Sequence, residues 1–179
     1  MGHAAADVVA FWREAGPQRW FDKDAAFDAR FRERFLDAHF AAARGELDDW
    51  RARPEGVLAL LLLLDQFPRN AFRGSAHTVA TDPLARRIAR DALAQGLDQA
   101  IEAELRLFCY LPFAHSEDLA DQDRSVQLMR DLGEEPLAHA ENHRAIVRRF
   151  GRFPHRNAML GRETSAEEAA FLAGGGFAG

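Results

Sequence analysis

The feature that most constrains the fold is an uninterrupted apolar run at residues 57–64, which is followed directly by Asp65. This run falls far short of the roughly 18 residues that would cross a membrane. A helix that is apolar on every side must be surrounded by other elements of the protein. The run therefore predicts a buried helix at the centre of the fold, with the Asp65 carboxylate near the interior.

The rest of the chain carries the spacing and the end signals of helices. Apolar residues recur at intervals of three and four at Val8, Phe11, Trp12 and Ala15, and again at Phe27, Phe31, Phe35, Ala38 and Ala42. Typical N-terminal caps are Asp82 before Pro83, Ser116, and Ser165 with Glu168. Since no segment alternates with period two for long enough to indicate a strand, we predict an all-α fold of stacked antiparallel helical hairpins.

Composition narrows the class of protein. The chain has 179 residues, of which 47% are hydrophobic and 28% charged, and we predict a single domain over 1–179 whose tail from 174 to 179 frays. A net charge of −5 argues against a nucleic-acid partner. The N-terminal segment lacks the pattern of a signal peptide, and one cysteine, Cys109, cannot form an internal disulfide. We therefore expect a cytoplasmic protein with no membrane partner, whose oligomeric state the sequence does not indicate.

A short phrase occurs twice in the sequence. FPRNAFRG at residues 67–74 returns, with one inserted histidine, as FPHRNAMLG at 153–161, and YLPFAHSE at 110–117 has a similar construction. Each of the three follows a strongly apolar stretch. Because proline cannot continue the hydrogen-bond ladder of a helix, each segment predicts a helix end that presents polar side chains. We expect the three segments to converge on one polar cluster.

Longer motifs resemble a bacterial family known as domain of unknown function 924. The motifs are LLLLDQFPRNAFRG within 60–74, YLPFAHSED at 110–118 and RFGRFPHRNAMLGR at 149–162, together with Phe11-Trp12, Trp20-Phe21 and His143. The resemblance covers nearly the whole chain and implies a tetratricopeptide-like, all-helical fold. It implies no established activity, substrate or cofactor. The motif positions that carry over are Asp65, Arg69, Asn70, Arg73, His115, Ser116, Glu117, His143, Arg152, His155, Arg156 and Asn157.

The side chains of these residues are suited to binding an anion. Arginine offers a planar, permanently charged fork to carboxylates and phosphates, and histidine or a partly buried carboxylate can carry a proton near neutral pH. We hypothesise a pocket for a small phosphorylated or carboxylated metabolite, with Arg69, Asn70, Arg73, Arg152, His155, Arg156 and Asn157 as ligand-binding residues. Candidate catalytic residues are His115, His143, Asp65 and Glu117. Four arginines exceed the charge of Asp65 and Glu117, which favours a bound anion.

Other interpretations stay open. The same residues could simply tie helix ends together by satisfying unpaired carbonyls. A helical stack could also serve as a scaffold whose concave face binds a peptide partner, without catalysis.

His139 and His143 have the i, i+4 spacing of metal ligands, but the Glu of an HExxH motif is absent, so we predict no metal and no cofactor. Ser116 is more typical of a helix cap than of a nucleophile.

Overall fold

The computed structural model describes residues 4–177, and every regular element within them is helical. The all-α prediction is confirmed, whereas the tetratricopeptide-like arrangement stays a prediction. The chain forms two compact units. The N-terminal unit runs to Arg73 and resumes at His77–Pro112, and the C-terminal unit comprises Gly74–Ala76 and the chain from Phe113 onward. A single domain over 1–179 remains a prediction, and residues 178 and 179 of the predicted frayed tail lie outside the described residues.

The N-terminal unit holds most of the helices. They are α1 (Ala5–Ala15), α2 (Pro17–Trp20), α3 (Ala25–Ala43), α4 (Pro54–Leu61), α5 (Phe67–Ala71), α6 (His77–Ala80) and α7 (Asp82–Ala94), with 3₁₀ turns at Asp48–Ala52 and Leu97–Ala100. The next helix, α8 (Leu107–Ala114), begins in this unit and passes the unit boundary after Pro112. None of the helices in residues 4–177 is long and apolar enough to cross a membrane.

The apolar run lies in the core of the N-terminal unit, as predicted. Each residue of 57–64 is at most 2% exposed, and α4 packs against α1, α7 and the turn Asp48–Ala52. At the contact with that turn, a Cβ atom on Gly56 would lie 2.1 Å from the Trp50 carbonyl oxygen, so only glycine fits. The phenylalanine stripe of α3 is buried as well, and the ring of Phe31 meets that of Phe67 edge-on at 5.1 Å.

The prediction that the chain leaves the helix at Phe67-Pro68 is wrong. The helix widens into a π-helical turn at Leu62–Gln66 and continues into α5. Pro68 has no N–H for the Leu64 carbonyl, and its ring would clash with that carbonyl in a regular α-turn. One wider turn relieves the clash, with the Phe67 N–H donating to the Leu62 oxygen five residues earlier.

The widened turn leaves buried carbonyl groups that side chains satisfy. His39 Nδ1 donates to the Leu63 oxygen at 2.9 Å, and the Thr81 hydroxyl donates to the Leu64 oxygen. Since a carbonyl only accepts, Nδ1 of His39 carries a proton, and the Nε2 atom of neutral His39 accepts from Nε2 of His77 at 2.9 Å. Burial lowers the pKa of His39, which keeps the ring neutral.

The C-terminal unit is built on a helical hairpin. Helices α9 (Leu119–Arg130) and α10 (Glu134–Phe150) pack against each other, and 3₁₀ turns at Pro154–Arg156 and Ala158–Leu160 lead to α11 (Ala166–Ala173). The helix end predicted at segment 153–161 is confirmed, because α10 ends just before it and Gly151 has φ 71°, a left-handed conformation that favours glycine. The ring of Phe177 packs against the cluster of Ile146, Val147 and Phe153.

Several predicted helix ends differ from the structure. Helix α8 continues through Pro112 and ends two residues later at Ala114. Asp118, rather than Ser116, caps α9, because its carboxylate accepts from the first amides of that helix. The hydroxyl of Ser116 donates to Asp121 instead, at 2.8 Å. By contrast, the capping box of Ser165 and Glu168 at the start of α11 is confirmed.

Cys109 lies in α8 and is free and buried. Burial is the main cause that raises the pKa of its thiol to about 12. The group is therefore a protonated thiol at neutral pH, as expected for a small buried hydrophobe rather than a nucleophile.

A Thr81→Val substitution tests the role of side chains at the π-turn. Valine has the shape of threonine but no donor for the Leu64 carbonyl, so the free energy of unfolding should fall by about 1–3 kcal/mol. Urea denaturation followed by circular dichroism measures this loss. The control is Gln18→Ala at an exposed position of the same unit, which should change stability by less than about 0.5 kcal/mol. Equal losses of stability at the two positions would show that the Thr81 hydroxyl does not stabilise the π-turn.

Candidate functional site

Asp65 and Arg69 form a buried ion pair in the N-terminal unit, together with Asp82. Asp65 is 1% exposed, and its Oδ1 atom lies 3.3 Å from Nη1 of Arg69. Arg69 also donates two hydrogen bonds to Asp82, at 2.8 and 2.9 Å, and one to the backbone oxygen of Asp65 at 2.6 Å. Burial disfavours the Arg69 cation, but the two carboxylates outweigh it and raise its pKa. The prediction that the Asp65 carboxylate lies near the interior is confirmed, and Arg69 is its partner there.

Two other residues of the 67–74 segment bind one acid of α3. Asn70 donates to Asp28 at 2.6 Å, and Arg73 donates to the same carboxylate at 2.8 Å through Nε. Asp82 and Asp28 therefore neutralise arginines that the sequence had left without a partner. This part of the predicted ligand-binding set joins α5 and the residues after it to α3 and α7.

Glu117 connects two of the three predicted segments in the C-terminal unit. Its carboxylate accepts a two-pronged pair of bonds from Arg162, at 2.9 and 2.8 Å, and a third from the Phe153 amide at 2.8 Å. Burial acts to raise the pKa of Glu117, yet these donors outweigh it, and the pKa is lowered. Glu117 is thus an anion at neutral pH whose acceptors are engaged by the protein.

Arg152 pairs with Glu168 of α11. The two side chains form hydrogen bonds at 2.6 and 2.9 Å, and the Ser165 amide donates to the same carboxylate at 2.8 Å. The bond from Arg152 is the largest cause that lowers the pKa of Glu168 to about 2. Asn157, which is 1% exposed, also donates a hydrogen bond that lowers this pKa.

Arg156 lies almost buried beside an aromatic ring. It is 7% exposed, its guanidinium carbon is 4.6 Å from the ring centroid of Phe153, and Nη1 donates to the His115 backbone oxygen at 3.0 Å. Segments 110–117 and 153–161 therefore meet within the C-terminal unit. The convergence of segment 67–74 with them stays a prediction.

The pKa of His143, a residue of α10, is strongly lowered. Its ring contacts Phe153 and Phe177, with centroids 5.4 and 4.6 Å apart, and the ring of His155 contacts the same two phenylalanines. Burial, followed by the nearby His115, lowers the pKa of His143 to about 3. The imidazole is therefore neutral at pH 7, and its buried Nδ1 atom has no hydrogen-bond partner among residues 4–177.

The expectation of unbalanced positive charge among the arginines needs correction. Arg69, Arg73 and Arg152 pair with acids that the sequence hypothesis had not included, namely Asp82, Asp28 and Glu168. Arg162, which binds Glu117, was also missed. Arg162 is the last residue of the motif at 149–162, and its place in that motif is the sequence signal that could have identified it.

An open cavity of about 520 Å³ lies beside the second arginine segment, lined by Arg152, Arg162, Glu163, Thr164 and Ser165. The side chains of Arg152 and Arg162 are 31% and 30% exposed. In the N-terminal unit, a cavity of about 210 Å³ lies between α4 and α7, and Ile88 and Asp91 are among the residues that line it.

Within the described part of the chain, no group of three or more histidine, cysteine or acidic side chains is placed to hold a metal ion.

The fold and these motifs define an all-helical protein of a bacterial family. The family described as bacterial protein of unknown function (DUF924) matches residues 8–176, and the chain belongs to it. A solved structure, titled as a protein of unknown function ATU0120 from Agrobacterium tumefaciens, is 62% identical, with a TM-score of 0.92. The match covers 94% of this chain and 96% of that one. No curated protein matches.

An Asp65→Ala variant tests whether this carboxylate stabilises the N-terminal unit. Removing it leaves Arg69 with one of its two acids in a buried site, so the free energy of unfolding should fall by about 3 kcal/mol. The matched control is Asp48→Ala, which removes a half-exposed partner of Arg51 and should cost less than about 1 kcal/mol. Urea denaturation measures both. Similar losses for the two variants would contradict a structural role for Asp65.

The pH dependence of stability tests the environment of His143. Unfolding returns the histidine to its ordinary pKa of 6.5, whereas its pKa in the folded protein is about 3. The unfolded state therefore binds the proton first, and stability should fall as pH drops from 6.5 towards 3, by up to ~1.4 kcal/mol per pH unit.

A His143→Phe variant should lose this contribution, while His139→Gln, an exposed change four residues earlier on the same helix, should keep it. Denaturation curves over the acid range measure the slopes. Parallel slopes for the parent and His143→Phe would show that the histidine titrates normally.

Proposed function

We propose that the protein binds a small anionic ligand, a phosphorylated or carboxylated metabolite, in the cavity of the C-terminal unit. The observation that carries this proposal is the presence of two partly exposed guanidinium groups, those of Arg152 and Arg162, in the wall of one cavity. Planar guanidinium groups bind carboxylates and phosphates through paired, charge-assisted hydrogen bonds.

Both arginines retain hydrogen-bond donors after they have bound their acids. A guanidinium has five N–H groups. Arg152 binds Glu168 and the Glu163 backbone through Nε and Nη2, and its Nη1 group donates to no residue within 4–177. Arg162 uses one N–H of each Nη atom for Glu117, and its Nε has no acceptor in the same range. The remaining donors support binding of an anion without loss of either ion pair.

The surroundings of the cavity favour the same class of ligand. Ser165, in the cavity wall, is the N-cap of α11, and the positive end of a helix dipole attracts anions. Thr164 adds a hydroxyl group. Because the walls are charged and hydroxylated, the cavity suits a small polar ligand better than the apolar anchors of a bound peptide. The charge of Glu163 at the rim opposes a large polyanion.

The other predicted residues have separate roles in this proposal. Arg69 and Arg73 are not part of the wall of this cavity, so the ligand is assigned to the arginines of the C-terminal unit. Arg156, His155, His115 and His143 are not part of this cavity wall, and acid/base chemistry by the histidines is a hypothesis that depends on the ligand. A cytoplasmic location is part of the proposal and is consistent with the free thiol of Cys109.

Titration with inorganic phosphate, sulfate and citrate at constant ionic strength tests anion binding. A ligand that binds the folded state raises the melting temperature by mass action, so at least one of these anions should stabilise the parent more than chloride does. Isothermal titration calorimetry then gives the dissociation constant. No stabilisation beyond the chloride effect would overturn the proposal.

Arg162→Gln should weaken binding at least about tenfold, because it removes one charged fork from the cavity. The matched control is Arg149→Gln, which removes an exposed arginine that binds Glu167 of the same helix α11 at 2.9 Å and lies outside the cavity wall. The double variant Glu117→Gln with Arg162→Gln avoids an unpaired Glu117 and should bind as weakly as the single one. Equal binding by Arg149→Gln and Arg162→Gln would place the anion elsewhere.

A further inference from the structure

The cavity between α4 and α7 in the N-terminal unit has two opposite charges in its wall. Arg51, from the turn Asp48–Ala52, and Asp91, from α7, both line this space of about 210 Å³. Arg51 pairs with Asp48, whose Oδ1 atom lies 2.8 Å from Nη2, and no ion pair within residues 4–177 joins it to Asp91. The wall of this cavity therefore holds a cation and an anion that do not pair with each other.

Each of these two groups can take a further partner. The Nε atom of Arg51 is buried and has no hydrogen-bond partner within residues 4–177, although the side chain as a whole is 29% exposed. A buried N–H without an acceptor is costly and calls for a specific explanation. The Asp91 carboxylate has no ion-pair or hydrogen-bond partner in the described part of the chain. A ligand with an acceptor for Arg51 and a donor for Asp91 would satisfy both groups.

A third polar side chain in the wall adds an acceptor. Gln95 lies one turn after Asp91 on α7, and its Nε2 atom donates to the Asp91 backbone oxygen at 3.2 Å. This bond occupies the amide nitrogen and leaves the side-chain oxygen of Gln95 to accept. An ammonium group has three N–H donors, so it can bind a carboxylate and an amide oxygen together.

The remaining wall and the volume limit what can enter. Val57, Ile88 and Ala92 line the cavity and are at most 2% exposed, so the wall also offers apolar contacts. A volume of 210 Å³ lies below the range of about 300–1,000 Å³ that is usual for ligand pockets. The cavity therefore suits a molecule of few atoms that carries both charges and a short apolar group.

We propose that this cavity binds a small apolar α-amino acid as a zwitterion. Its carboxylate binds Arg51, its ammonium group binds Asp91, and its side chain contacts the apolar part of the wall. An α-amino acid carries both charges on one carbon atom, so two charge-assisted pairs form without adding net charge to the site. This inference goes beyond the proposed anion site, because it concerns other residues, in the other unit, and another class of ligand.

Three probes of similar shape test which charges the cavity requires. L-valine carries both charges, isobutylamine lacks the carboxylate, and 3-methylbutanoate lacks the ammonium group. Each is titrated into the ¹⁵N-labelled full chain at about pH 7 and constant ionic strength, and nuclear magnetic resonance follows the Gln95 side-chain amide and the amides of 48–52. Valine should bind at least about tenfold more tightly than either single-charge probe, because each of them loses one charge-assisted pair.

An Asp91→Asn variant should weaken valine binding at least about tenfold, because it removes the charge that faces the ammonium group. The matched control is Asp49→Asn, the same change at an exposed acid of the turn that holds Arg51, outside the cavity wall. It should keep the affinity of the parent. Asp91 is itself exposed, so its variant should fold, and circular dichroism checks this.

The outcomes separate this proposal from the anion site. Shifts in 48–52 and the Gln95 side chain report on this cavity, whereas shifts around Arg152 and Arg162 report on the anion site. Binding of 3-methylbutanoate here as tight as that of valine would overturn the zwitterion requirement. The absence of saturable shifts with valine, or equal weakening by Asp91→Asn and Asp49→Asn, would overturn the site. Neither result changes the expectation for phosphate, sulfate or citrate at the arginines of the C-terminal unit.

Discussion

The N-terminal unit depends on one constraint: the buried backbone carbonyls around Pro68 must find donors. Proline removes an N–H from a fully buried part of the helix, where Leu63 and Leu64 are 0% exposed. The helix responds by widening into a π-turn, and His39, Thr81 and Arg69 donate to the carbonyls of that turn. Helices α3 and α7 thereby meet the central helix through specific hydrogen bonds as well as through apolar packing.

Charge neutralisation organises the rest of the polar structure. Each unit pairs its arginines with acids drawn from distant parts of its own sequence, such as Asp28 and Asp82 in one and Glu117 and Glu168 in the other. The difference lies in burial. Arg69 is enclosed by its carboxylates, whereas Arg152 and Arg162 remain partly exposed and keep donors to spare. Arg152 and Arg162 also share the wall of one cavity, which is why the anion is proposed to bind in the C-terminal unit.

Much of the helical architecture could be predicted from local signals. The burial of 57–64, the phenylalanine stripe of α3, the end of α10 at Gly151 and the capping box at Ser165 all follow from periodicity or from residue chemistry within one turn. The proline positions could not be resolved in the same way. Pro68 follows a π-turn whose carbonyls accept from His39 and Thr81, residues far away in sequence, and α8 continues through Pro112.

The sequence by itself determined the helical class, the buried central run, the family and the residues that carry charge in its motifs, because each of these depends on neighbouring residues or on the motif itself. Tertiary structure alone decided which acid each arginine binds, which arginines keep free donors and why His143 is neutral. Those properties depend on distances between residues far apart in the chain and on how deeply the residues are buried. Local sequence predicts neither the distances nor the burial.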